Sequence, residues 1–141
     1  MRALVCAASV LIVMLVAGLV TGPAGAQSDE KVPSIKKVMS KLHKGKTAPV
    51  NAVKAALKSD SPDWAVVLKD AKEIAKFGAY LPKSDPPKGS KESWEKLAKA
   101  YAANGKALVT AAEKEELPVA RGASTKLSGS CKACHSEHKE D

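Results

Sequence analysis

Two stretches of this chain place apolar residues at alternating steps of three and four, and that spacing confines them to helices packed along narrow seams. Trp64, Leu68, Ala71, Ala75 and Gly78 form one series; Trp94, Leu97, Tyr101, Gly105, Leu108 and Ala112 form the other. No stretch is dense in Val, Ile, Thr and Tyr, and aromatic residues make up only 4% of the chain, which argues against a β-sandwich or barrel. With 141 residues and 45% apolar content the chain has one-domain length and is too apolar for a disordered tail.

The flanking segments extend the pattern. Ile35, Val38, Met39 and Leu42 lie on one stripe of a helix expected from Pro33 to Lys44, with Gly45 just past its end. Pro49 restarts a short helix, so the first bundle element is broken. Ser61 is expected to cap the next helix with Pro62 in its first position, and Ser90 the one after. Leu117-Pro118 marks the join to a last helix that frays near Lys139. The expected architecture is all-α: an antiparallel four-helix bundle with a broken first helix.

Residues 1–26 read as a secretory signal. Arg2 is followed by an apolar run from Ala3 to Val20, a Thr21-Gly22-Pro23 break and a small-residue Ala24-Gly25-Ala26 cleavage site. A retained membrane anchor is the other reading of the run. Cleavage would remove Cys6 and Arg2, lowering the net charge of +8 by one and leaving residues 27–141 as the functional domain, with no membrane association. Two cysteines then remain, too few for a disulfide framework.

Those two fall in Cys131-Lys132-Ala133-Cys134-His135, the spacing of covalent c-type haem attachment. Two thiols add to the two vinyl groups of the porphyrin, and the adjacent imidazole reaches the iron. On a helix turning about 100° per residue, Cys134 lies roughly 60° to one side of Cys131 and His135 roughly 40° to the other, so all three project toward one surface. Leu127 and Ala120 share that arc and could pack on the porphyrin. A thioredoxin-like pair would need a strand–helix context that is absent, and a zinc site would crowd Cys131, Cys134, His135 and His138 onto a turn and a half of helix. Seams of Ala and Gly also bury little area, and one large apolar haem c would supply the missing volume.

A haem motif at the C-terminal end of an all-helical chain resembles the class II c-type cytochromes, the cytochrome c′ group. The resemblance runs from about Pro33 to Lys139 and rests on CKACH at 131–135, the basic Lys139 four past the histidine, and Met39 on the first helix. It implies His135 as the proximal iron ligand and, as in the low-spin members, Met39 as the distal one. The alternative is a vacant distal position that binds NO or CO, as in cytochrome c′ itself. Two features depart from the pattern: His138-Lys139 replaces the aromatic–Arg pair common after the motif, and the first helix is interrupted. Relatives of this class are often dimers through their first two helices.

Met39 lies about 50° from the centre of its apolar stripe and His43 about 90°. Met39 therefore faces the interior, while His43 is expected near the surface as a second candidate ligand. His138 is expected to be partly exposed in the fraying end. With both axial positions filled the protein could only exchange electrons, which makes it a periplasmic carrier and not an enzyme. The basic surface would steer it to acidic redox partners; a haem subunit of a larger redox complex is a further alternative. Nothing resembles a nucleic-acid reading module or a hydrolase site.

Overall fold

In the computed structural model, residues 31–140 are described, so the signal read over residues 1–26 lies outside the described residues. Five helices follow in order: α1 (Ile35–His43), α2 (Pro49–Ala56), α3 (Trp64–Gly78), α4 (Lys91–Glu113) and α5 (Leu117–His138). A single 3₁₀ turn at Leu81–Lys83 lies between α3 and α4. There is no strand among the described residues. α1 and α2 together make the broken first element of a four-helix bundle. α3 packs on α4, α4 on α5, and α2 closes the ring against α3 and α5.

Local chemistry sets the helix ends. Ser34 caps α1 through Lys37 N–H, and Gly45, just beyond the end of α1, holds φ +93°, a conformation that costs glycine little. Ser90 caps α4 by accepting from Ser93 N–H. The cap of α3 is Asp63, not Ser61: its carboxylate accepts from both Ala65 and Val66 N–H, so Pro62 stands before the helix instead of inside it. Pro118 sits in the first turn of α5, where its missing N–H costs no bond.

The seams bury Val67, Ala71, Ile74 and Gly78 on α3 against Trp94, Ala98, Tyr101, Gly105 and Leu108 on α4. Small residues bring these helices close. A Cβ at Gly105 would stand 3.3 Å from the Ala75 Cα. Larger side chains contribute most of the burial energy; each fully buried Leu or Ile is worth about 1.5–3 kcal/mol. Arg121 ties α5 to the α2–α3 turn: its Nε donates to the Leu57 carbonyl at 2.8 Å, and its guanidinium also reaches Ser59 O and Asp60 Oδ1.

The loop after α3 is pinned from α4. Trp94 Nε1 donates to the carbonyls of Leu81, at 3.2 Å, and Ser84, at 2.7 Å. These bonds fix the 3₁₀ turn, and with it the Leu81 side chain, at one end of the bundle.

Candidate cofactor site

A cleft of about 160 Å³ is lined by Met39 and His43 from α1, Leu81 from the 3₁₀ turn, Tyr101 from α4, and Ser130, Cys131, Cys134 and His135 from α5. Each residue arrives by simple helical arithmetic. Met39 and His43 are one turn apart on α1, as are Cys131 and His135 on α5, and Cys134 stands between the latter two. The motif residues and the candidate ligands of the first helix therefore meet in one place.

The two thiols are free and half-buried. Cys131 Sγ points back to the Leu127 carbonyl at 3.7 Å. Burial, helped by Cys131 and Glu137, pushes the Cys134 thiol above its ordinary pKa. The pair lies within one helix, not at the strand–helix join of a thioredoxin-like site. Nor do three His, Cys, Asp or Glu side chains converge on a bare metal ion among the described residues. The cleft thus fits neither rival reading of the motif.

His43 differs from expectation. It is half-buried on the cleft wall, with Nε2 3.1 Å from the Tyr101 hydroxyl and the two rings tilted at 6.1 Å between centroids. Burial, and after it the nearby His135, holds its pKa below the usual 6.5, so the imidazole is neutral at pH 7. Tyr101 is 7% exposed, and burial raises its phenol far above the usual tyrosine range, so it keeps its proton. The seam pattern placed Tyr101 in the core but carried no sign that its hydroxyl would face the motif.

His138 is also not where it was expected. It is 2% exposed, bonded through Nδ1 to the Lys88 carbonyl and packed edge-on against Trp94. Leu127 and Ala120 lie in the bundle core and do not line the cleft. Trp94 serves as the anchor of the 3₁₀ turn, away from the cleft.

The donor set suits a haem: two thiols and an imidazole on one helix, with a thioether and a second imidazole on the facing one. At about 160 Å³ the cleft is smaller than the roughly 300 Å³ at the low end of ligand pockets. Seating a porphyrin therefore requires its walls to part. The wall facing the motif is the nine-residue α1, which packs on α2 and α3 and is tied to α3 by a Lys41–Glu73 pair at 3.1 Å whose Glu73 Oε2 is buried.

No protein-family model matches the chain, and no curated protein matches it. Among solved structures it is similar to cytochrome c′ from Thermochromatium tepidum, with a TM-score of 0.52 and 22% identity, over 66% of this chain and 84% of that one. At that identity the likeness speaks for architecture, and the described chain has the helical-bundle fold of that cytochrome c′.

Proposed function

We propose that this protein is an exported mono-haem c-type cytochrome that carries electrons, with haem c bound through Cys131 and Cys134 and held by His135 and Met39. The observation that carries this reading is the meeting of Cys131, Cys134 and His135 with Met39 in one cleft. Its fold neighbour is a cytochrome c′.

Bound there, the haem supplies a one-electron ferric/ferrous couple. The chain does the rest. Each thiol of Cys131 and Cys134 would add across a vinyl group of the porphyrin, its sulfur bonding one carbon and its hydrogen passing to the other, to leave a thioether link. His135 and Met39 would hold the iron, and the thioether of Met39 would raise the potential relative to a second imidazole. Leu81 and the ring of Tyr101 keep water from the cleft. Lysines outnumber acids, and the net charge, +8 for the whole chain and one less after loss of Arg2, favours encounter with acidic redox partners in the periplasm, an effect that salt weakens.

Optical spectra of both oxidation states test the proposal. The expected result is low-spin ferric haem with a methionine–iron charge-transfer band, poor carbon monoxide binding, and a chromophore that survives acid-acetone extraction. Met39→Ala removes the band and opens the site to carbon monoxide. A high-spin wild-type spectrum with rapid carbon monoxide binding would instead mark a gas-binding haem protein, and colourless extracted protein would overturn covalent attachment altogether. Stable co-purification with an oxidoreductase would make the chain a subunit of a larger redox complex.

A further inference from the structure

With a haem at the motif, two side chains of α1 would compete for the same iron position. Met39 and His43 stand one helical turn apart, line the same cleft and face the same motif on α5. Ferric iron accepts imidazole readily, whereas thioethers suit softer metals, so an unrestrained histidine at this place would displace methionine. Some feature of the site has to settle the competition.

The structure offers one restraint on His43. The Tyr101 phenol is buried, and His43 Nε2 at 3.1 Å is its hydrogen-bond partner among the described residues. The hydroxyl proton needs an acceptor, because leaving it unmet in the interior costs about 1–3 kcal/mol. The phenol therefore donates, the Nε2 lone pair accepts, and the ring proton of neutral His43 sits on Nδ1.

Tyr101 is in turn closely packed. It belongs to the buried face of α4, and a Cβ on Gly78 of α3 would stand only 3.0 Å from its Cε1, so the ring is wedged between the two helices. The contact joins α1 to the closely packed α3–α4 pair.

Building on the haem reading above, we propose that Tyr101 is a ligand-selecting residue: its hydroxyl ties up the Nε2 lone pair of His43 and so leaves the distal iron position to Met39. Tyr101 is a positioning residue in this scheme, acting through His43. No covalent step is involved; one hydrogen bond decides which of two lone pairs is free.

The test is made on the haem-loaded protein with three variants, read by the charge-transfer band, electron paramagnetic resonance and the midpoint potential. Tyr101→Phe removes the hydroxyl and keeps the ring. It is expected to lose the methionine band, take on a bis-histidine signal and fall in potential. Tyr101→Phe/His43→Ala is expected to regain the band, which a merely structural role for Tyr101 would not produce. His43→Ala alone keeps the band. Retention of the band in Tyr101→Phe overturns the proposal, as does its absence from the double variant. Loss of the band in His43→Ala would mean that His43 supports Met39 at the iron instead of competing with it, and would overturn the proposal even if Tyr101→Phe failed to fold. The wild-type spectrum judges the haem reading separately: haem present with no methionine band overturns the selection scheme but leaves covalent attachment standing.

Discussion

The His138 imidazole donates from Nδ1 to the Lys88 carbonyl at 2.8 Å, spanning the distance from the end of α5 to the loop before α4. The same ring meets Ser93 Oγ at 3.3 Å and stands edge-on to Trp94, with centroids 5.4 Å apart. The helix end that carries Cys131, Cys134 and His135 is thereby fastened three residues past the motif. His138→Ala leaves the Lys88 carbonyl without its partner and a gap beside Trp94. The expected cost is about 2–3 kcal/mol in chemical denaturation. Amide exchange should quicken through residues 134–138 but not at Ala120 or Ala123. Uniform exchange along α5 would deny His138 this fastening role.

Glycines on two helices should respond in opposite ways to the same substitution. At Gly78 a methyl group would meet Tyr101 Cε1 at 3.0 Å and Cδ1 at 3.1 Å, against a buried ring. Overpacking of about 1–3 kcal/mol outweighs the helix-propensity gain at the last residue of α3. At Gly122, inside α5, nothing lies within 4 Å of the added Cβ. Gly122→Ala should therefore raise stability by about 0.5–1 kcal/mol, and Gly78→Ala should lower it. Urea midpoints measured side by side check both signs.

The periodic features were open to sequence reading. The α3 seam is turned toward Val67 and Ile74, leaving Trp64, Leu68 and Ala75 only partly buried, but the α4 seam, the Ser90 cap, the positive φ of Gly45 and the Leu117-Pro118 join follow from residues near one another in the chain, on which each of them depends. So does the grouping of Cys131, Cys134 and His135. The misplaced residues all depend on distant partners. His43 lies on the flank of α1 when only the apolar stripe of α1 is considered. It becomes part of the cleft because Tyr101, 58 residues away, offers a hydroxyl to an otherwise half-wet ring. His138 belongs to a helix end that would fray in isolation. It is buried because Gly89, with φ +79° and no side chain, lets the loop approach: a Cβ there would stand 2.8 Å from His138 Nδ1. The cap of α3 fell between two competent neighbours, and Asp63 prevailed over Ser61 by accepting two N–H groups at once.

The buried position of His43 also makes folding sensitive to acid. Its pKa in the folded chain is below the ordinary 6.5, chiefly because burial penalises the cation and secondarily because of His135. The unfolded chain therefore takes up this proton at higher pH than the folded chain does. The contribution of neutral His43 is complete above pH 6.5 and is lost progressively as pH falls from there toward the lower folded-state value. Tyr101, Cys131, Cys134 and His135 face the same ring across the cleft, so the clean measurement is a difference between two proteins. Wild type and His43→Gln, which keeps a polar tip near Tyr101, should be unfolded in urea at a series of pH values from about 7.5 to 5. The wild type should lose stability relative to the variant as pH drops below 6.5, and the two curves should run parallel above it. Parallel curves throughout that range would mean that His43 takes up its proton equally easily folded and unfolded, and that burial on α1 does not govern it.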